Sequence, residues 1–263
     1  MSLLINDNAT RVPLTDESVE LYCGDGVNLL DKLPNKFVDF IWTDPPYNVN
    51  KDYDDYDDDM PENEYMEWVS QWTFDTKRVS GSFAIYPPKF KLREFWNLMP
   101  DQHLLICAWS PMGVPRGGFI HQYIPLLVPS KPLTKIQDHW WNVQVPGMGY
   151  FYREKKYNHP GQTSLDITQR VILAFTHPGD LVLDPFGGSG TTAEACVNLG
   201  RRCILIEQSL KYCHIAADRI NEAIAQPKLI QPITPSVKQP PNWVTDMTSG
   251  EKWSYDHHEW SEK

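Results

Sequence analysis

Gly179-Asp180-Leu181-Val182-Leu183-Asp184-Pro185-Phe186-Gly187-Gly188-Ser189-Gly190-Thr191-Thr192 is the stretch that decides the fold. A turn leads into a short apolar strand, which ends in an acid and a proline. Proline cannot extend a sheet ladder, so the strand stops there. The glycines behind it let a ligand approach the backbone closely. A helix over Ala193 to Leu199 follows, with Gly200 at its C-terminal stop. A second apolar strand, Cys203 to Ile206, ends in Glu207 and Gln208. Strand, glycine-rich turn, helix, strand and terminal acid form the nucleotide-binding βαβ pattern. An acid in that last position can accept both hydroxyls of a ribose. The plainer alternatives are Asp184 as a turn residue and Glu207 as an exposed strand end.

A second stretch, Ile41-Trp42-Thr43-Asp44-Pro45-Pro46-Tyr47-Asn48, ends in the same way. The apolar run Phe37 to Trp42 reads as a buried parallel strand. Two prolines stiffen the backbone behind it. Asp44, the Pro45 carbonyl and the Tyr47 ring then project past the carboxyl end of a strand, where open α/β sheets bind ligands. Alone, the stretch could equally be a structural turn with a packed tyrosine.

Together, Asp44-Pro45-Pro46-Tyr47 and Asp184 to Thr192 resemble the motifs of the S-adenosylmethionine-dependent amino-methyltransferases of DNA. The order, tetrapeptide before cofactor loop, is similar to that of the β-class adenine-N6 and cytosine-N4 enzymes. The resemblance covers roughly residues 20–50 and 155–225 well and 60–130 loosely. It implies an α/β fold: a doubly wound, Rossmann-like methyltransferase sheet, circularly permuted, with a small recognition insertion. It assigns catalysis to Asp44, Pro45, Pro46 and Tyr47. Asp184, Pro185, Phe186, Gly187, Gly188, Ser189, Gly190, Thr191, Thr192, Glu207 and Gln208 are then expected around S-adenosylmethionine. Asp25, in Gly24-Asp25-Gly26, is expected near the cofactor's adenine, or is simply a helix N-cap. His159-Pro160-Gly161-Gln162-Thr163-Ser164 occupies the place of the family's His-Pro-x-x-Lys-Pro, at the methionine end of the cofactor. Thr163-Ser164 replaces Lys-Pro here. Hydroxyls and helix N-terminal amides can still hold a carboxylate.

The chain has 263 residues, enough for one large α/β domain with an insertion or two small domains. No apolar run reaches the roughly 18–20 residues of a membrane span. No positively charged, then apolar, leader is visible at Met1 to Asp7. Five cysteines (Cys23, Cys107, Cys196, Cys203, Cys213) show no C-x-x-C pair. Reduced thiols, a cytoplasmic location and no metal site are expected. The net charge of −10 sits badly with phosphate binding. However, residues 51–67 hold nine acids and one base, so that segment carries −8 of the total.

In chain order, Leu21 to Gly24 reads as a strand and Val27 to Leu33 as a helix. The acidic run after Asn48 reads as a mobile loop beside the site: a solvated loop, or a lid. Pro61 opens a helix whose stripe of Tyr65, Trp68, Val69 and Trp72 is expected in the core. Lys77 to Gly81 reads as a turn, Ser82 to Tyr86 as a strand, Lys89 to Leu98 as a basic helix, and Leu104 to Trp109 as a strand. Phe119 to Val128 could be one more strand. Residues 110–158 are the candidate target-recognition segment. Asn48, just after the tetrapeptide, and Arg116, Lys131, Lys135, Trp140, Arg153, Lys155 and Lys156 of that segment are the expected nucleic-acid contacts, with aromatics stacking on bases and cations on phosphates. The competing reading is a packed surface hairpin. Leu165 to Phe175 and Ser209 to about Ala225 read as helices. Residues 1–225 form the catalytic domain. Residues 226–263, rich in proline and tryptophan, read as an extended or disordered tail.

The function that follows is site-specific methylation of adenine N6 in DNA. Asp in the first position of the tetrapeptide points to adenine, because Ser more often accompanies cytosine N4 in the family. Cytosine-N4 methylation, RNA adenine methylation and a non-catalytic subunit of a methyltransferase complex are the alternatives. A homodimer or a partner subunit is left open.

Overall fold

The computed structural model describes residues 9–53, 56–108, 123–133, 140–142, 157, 159–226, 243–245 and 252–254. Among the described residues nine strands form one sheet: β1 (Ala9–Val12), β2 (Val19–Gly24), β3 (Phe40–Thr43), β4 (Phe83–Ile85), β5 (His103–Ala108), β6 (Tyr123–Val128), β7 (Trp140–Asn142), β8 (Leu181–Asp184) and β9 (Arg202–Glu207). Their spatial order is β1-β2-β9-β8-β3-β4-β6-β5-β7. The central five, β2, β9, β8, β3 and β4, run parallel. β6 is antiparallel to both β4 and β5, β7 is parallel to β5, and β1 is antiparallel to β2.

Both faces of the central strands are apolar, as a sheet covered on two sides requires. Leu21, Phe40, Trp42, Val182, Cys203 and Leu205 face one core. Their neighbours Tyr22, Ile41, Leu183, Ile204 and Ile206 face the other. The first core is covered by α4 (Leu165–Phe175), α5 (Thr191–Leu199) and α6 (Leu210–Ala225). The second is covered by α1 (Gly26–Lys32), α2 (Glu62–Val79) and α3 (Leu92–Leu98). The doubly wound α/β sheet expected from the sequence is therefore present.

Several element boundaries are corrected. The strand that leads to Asp44 starts at Phe40 rather than Phe37. Lys77 to Val79 are not a turn but the last residues of α2. Arg78 explains the extension. Its guanidinium donates to the Leu30 and Asp31 carbonyls at 2.9 and 3.0 Å and pairs with Asp75 at 2.8 Å. It thereby caps the end of α1, whose last carbonyls have no partner within the helix. The basic helix begins as a 3-10 turn over Lys89–Lys91, and α3 proper starts at Leu92. The candidate recognition segment contributes β6 and β7 to the main sheet.

The acidic segment is also more ordered than a solvated loop. Asp52–Tyr53 and Tyr56–Asp57 pair as a short antiparallel ribbon. Asp58 is only 2% exposed. Its carboxylate accepts from the backbone N–H groups of Asn48 (2.8 Å), Val49 (3.1 Å) and Lys51 (3.1 Å). A carboxylate can meet the cost of burial only through such bonds. Asn48 and Asn50 adopt positive φ to make this turn.

The chain divides into two compact units, residues 1–227 and 228–263. In the second, Trp243–Thr245 and Lys252–Ser254 form an antiparallel ribbon. Among the described residues no helix is long and apolar enough to cross a membrane.

The aromatic stripe of α2 anchors the second core. Trp72 is fully buried, with ring centroids 5.5 Å from Phe186 and 6.2 Å from Phe95. Its indole N–H has no hydrogen-bond partner among the described residues. Trp72→Ala should therefore lower the unfolding free energy by about 3–5 kcal/mol in urea titrations followed by circular dichroism. Trp72→Phe should cost far less, because it deletes a buried donor that makes no bond.

Candidate active site

A cavity of about 400 Å³ opens at the carboxyl ends of β2, β3, β8 and β9. Each of these strands delivers an acid or a stiff turn to it. β2 delivers Asp25, β3 delivers Asp44 to Tyr47, β8 delivers Asp184 and the glycine-rich turn, and β9 delivers Glu207. The volume lies within the usual range for small-molecule sites.

Asp44 stands one residue beyond β3. Its Oδ1 accepts the Tyr47 hydroxyl and its Oδ2 the Thr163 hydroxyl, both at 2.6 Å. Burial pushes its pKa up to about 6, against the pull of those two hydrogen bonds. The nearby negative charge of Asp184 adds to the rise and Lys51 opposes it. The Tyr65 hydroxyl donates to the Pro46 carbonyl at 2.9 Å, so a core aromatic on α2 fixes the proline turn. The Tyr47 ring lies edge-on to Tyr86, centroids 6.0 Å apart.

Asp184 is 4% exposed and is bonded by three donors of its own protein. It accepts from the Thr43 hydroxyl (2.7 Å), the Phe186 N–H (3.1 Å) and the Thr192 hydroxyl (2.6 Å). Burial raises it to about 6 despite these bonds. Glu207 accepts the N–H of Gly188 on Oε2 (2.7 Å) and that of Ser209 on Oε1 (2.8 Å). Burial raises it to about 7. The Gln208 N–H also donates to this carboxylate, so of its roughly four acceptor sites about one is left for a ligand hydroxyl. Asp25 is the N-cap of α1, accepting from the N–H groups of Val27 and Asn28, and it also lines the cavity.

Two glycines are needed for close packing around the turn. A Cβ at Gly26 would lie 1.9 Å from the Pro185 carbonyl oxygen. Gly190 has φ +84°, and its Cβ would meet Ala216 at 3.1 Å. The start of α5 can thus lean closely against α6.

His159 presents a neutral ring. Burial lowers its pKa to about 4, helped by the charges of Lys51 and Arg219. Its Nδ1 accepts the Gly161 N–H at 3.1 Å, and the ring packs edge-on against Tyr212 at 4.4 Å.

Of the residues expected from sequence, Asp25, Asp44, Pro45, Pro46, Tyr47, His159, Thr163, Asp184 to Ser189, Thr191, Thr192, Glu207 and Gln208 line this one cavity. Pro160, Ser164 and Gly190 do not. Ser164 is buried as the N-cap residue of α4, with its carbonyl accepting from Thr168. Asn48 is spent within its own loop: its amide donates to the Met60 carbonyl and accepts the Met60 N–H. Lys131 is exposed and off the cavity wall. Trp140 lies in β7. Arg116, Lys135, Arg153, Lys155 and Lys156 lie outside the described residues.

Sequence reasoning missed Lys51, Met60, Trp68, Gly161 and Tyr212 on the wall. Trp68 sits 5.4 Å from Phe186, and the two rings join the second core to the cavity. Among the described lining residues, Lys51 is the one lysine or arginine. Apolar walls, a carboxylate with a spare acceptor site for a ribose hydroxyl, and a set of acids suited to a cation together fit an adenosyl ligand with a positive centre.

The fold and this site define a nucleotide-cofactor transferase of the Rossmann-like methyltransferase kind. The chain matches the DNA methylase family of N6/N4 methyltransferases over residues 38–108 and 118–218, and it belongs to that family. It is 25% identical over 270 residues to the type II methyltransferase M.HpaI of Haemophilus parainfluenzae, an alignment covering 91% of this chain and 85% of that protein. It is 26% identical over 251 residues to the DNA adenine methyltransferase YhdJ of Escherichia coli (strain K12), covering 79% and 84%. Among solved structures it is similar in fold to the M1.HpyAVI–SAM complex, with a TM-score of 0.56, 23% identity and coverage of 77% and 99%. It is also similar to the cytosine-N4-specific PvuII DNA methyltransferase, with a TM-score of 0.58, 18% identity and coverage of 78% and 87%. The family uses S-adenosylmethionine and includes both adenine-N6 and cytosine-N4 enzymes.

The raised pKa of Asp44 makes a stability prediction. Its ordinary value is 3.8 and its folded value about 6, so the folded chain binds this proton more tightly than the unfolded chain. The stability it contributes is full below its ordinary pKa and is lost as pH rises through its folded value. Asp44→Asn should therefore raise the thermal midpoint at pH 7.5, with the gain vanishing at pH 3.5. Calorimetry across that range checks it.

Proposed function

We propose that this chain transfers the methyl group of S-adenosylmethionine to N6 of an adenine that has been swung out of a DNA duplex in the cytoplasm. The observation that carries the reading is the place of Asp44. It stands in the same cavity as the glycine-rich turn and Glu207, at the end of the neighbouring strand.

An adenine amine is a poor nucleophile, because its lone pair is delocalised into the ring. Asp44 and the Pro45 carbonyl can each accept one of its N–H bonds. That favours a more tetrahedral nitrogen with its lone pair aimed along one line. The Tyr47 ring stacks on the base once its hydroxyl leaves Asp44. Extruding the base costs a few kcal/mol. S-adenosylmethionine, when bound, supplies a methyl group already activated on a positive sulfur. On this reading Glu207 takes a ribose hydroxyl, Phe186 and Val27, which both line the cavity, flank the adenine ring, and Lys51 meets the carboxylate. Most of the acceleration on this reading is alignment of the two reactants. Asp44 need not be a strong base, since the nitrogen becomes acidic as the new bond forms.

Asp in the first position of the tetrapeptide favours adenine over cytosine, and the adenine enzyme YhdJ is a relative of similar length coverage. A non-catalytic subunit would have no use for a buried carboxylate beside a complete cofactor cavity. Duplex DNA is the substrate that the family membership favours over RNA.

The test is nucleoside mass spectrometry of unmethylated DNA incubated with the protein and S-adenosylmethionine. N6-methyladenine is expected; N4-methylcytosine would overturn the choice of base, and methylated RNA alone the choice of substrate. Asp44→Ala should lower transfer by at least about a hundredfold while cofactor binding, read by calorimetry, persists. In the wild type the single-turnover rate should fall as pH drops through about 6, where Asp44 takes up its proton.

A further inference from the structure

Asp44 holds one hydroxyl on each oxygen, and the two donors differ in kind. Tyr47 lies three residues along the same turn, and its ring has to move if it is to stack on a base. Thr163 comes from 119 residues away, just before α4. Three helices fix it. The Ser164 carbonyl beside it accepts both the N–H and the hydroxyl of Thr168 in α4. Its own carbonyl accepts the hydroxyl of Thr191, the first residue of α5, at 3.4 Å. The Thr191 oxygen accepts in turn from Arg219 of α6 at 2.7 Å. Arg219 is 1% exposed and paired with Glu194.

We propose that Thr163 is a positioning residue. Its hydroxyl fixes Oδ2 of Asp44, so that Oδ1 is the oxygen presented to the incoming amine when Tyr47 lets go. The proposal rests on the reading of Asp44 as the amine's acceptor. It also gives a use to the departure at this position, where a hydroxyl stands in place of the family's usual lysine. A threonine hydroxyl donates one short bond without adding a charge to the reacting centre.

Two consequences separate this role from a cofactor contact or from simple packing. The orientation of Asp44 should depend on the hydroxyl, not on the methyl group. The titration of Asp44 should also depend on it. The charged and titratable groups facing Asp44 are Asp184 at the end of β8, Lys51 from the acidic loop, Tyr86 after β4, and Tyr47. Tyr86 is itself pushed well above its ordinary pKa by burial and by Asp44, and stays neutral. Of these groups Lys51 and Tyr47 favour the carboxylate, and Asp184 opposes it. Removing the Thr163 bond leaves burial less opposed, so Asp44 should take up its proton at a higher pH.

The experiment is the single-turnover rate of methyl transfer against pH, with tritiated S-adenosylmethionine and unmethylated, high-complexity duplex DNA. Wild type, Thr163→Val and Thr163→Ser are compared, with cofactor affinity measured by calorimetry. Thr163→Val should lose about tenfold to a hundredfold in rate at pH 7.5, the range of a lost hydrogen bond to a charged group. Its acidic limb should move to higher pH while cofactor affinity is kept. Thr163→Ser should restore both rate and limb. If valine does not fold, Thr163→Ala replaces it with the same expectation. An unchanged rate and limb in Thr163→Val would overturn the proposal, and so would a loss confined to cofactor affinity. In both cases an inactive Asp44→Ala control leaves the reading of the site standing. Full transfer by Asp44→Ala, or none by wild type, would overturn that reading and the proposal with it.

Discussion

The carboxylate of Asp184 ties the two halves of the site together. It takes the hydroxyl of Thr43, the last residue of β3, and that of Thr192, in the first turn of α5. It also takes the N–H of Phe186 inside the glycine-rich turn. One buried side chain thus fastens the strand that presents Asp44 to the glycine-rich loop and the helix behind it. Burying an acid is expensive unless its oxygens are bonded, and here three donors converge on it. The geometry of the tetrapeptide relative to the cofactor wall is therefore set from beneath, not by the ligand.

What was legible in the sequence was whatever has a local period or a local stop. The alternation of Phe40-Ile41-Trp42 and of Val182-Leu183 between two cores is readable as apolar strands. The bounds of α4 and the Gly200 stop of α5 follow from residue type alone. What was not legible depends on three-dimensional neighbours. Asp58 is one of six aspartates between Asp52 and Asp59, and nothing local distinguishes it. It is buried because Asn48 and Asn50 turn the backbone N–H groups inward. Trp68 shares the 3–4 spacing of the core stripe, yet α2 carries it to the strand ends, where it faces the cavity. The Thr163–Asp44 bond spans 119 residues and leaves no motif.

The electrostatics of the site are those of an acidic bowl. Asp44, Asp184 and Glu207 all have raised pKa values, each chiefly through burial. Such a bowl welcomes a compact cation and repels phosphates. A methyl donor that is positive at sulfur suits it. A polynucleotide backbone does not. The local concentration of acid in residues 51–67 works in the same direction, since it leaves the remainder of the chain nearly neutral.

The strand order has a consequence for how the chain is made. β2 pairs with β9, and β3 pairs with β8 on one side. The middle of the sheet is therefore built from strands that lie some 140 to 180 residues apart in sequence. A ribosome releases β2 and β3 first, and their central partners emerge only after most of the chain has been translated. At typical elongation rates that gap lasts on the order of ten seconds. During it two strands with apolar faces and open edges have no native neighbour on the side that matters. Long-range pairing of this kind also slows folding. The permuted order that brings the Asp44 turn ahead of the glycine-rich turn thus leaves the nascent chain with unpaired apolar strands for most of its synthesis.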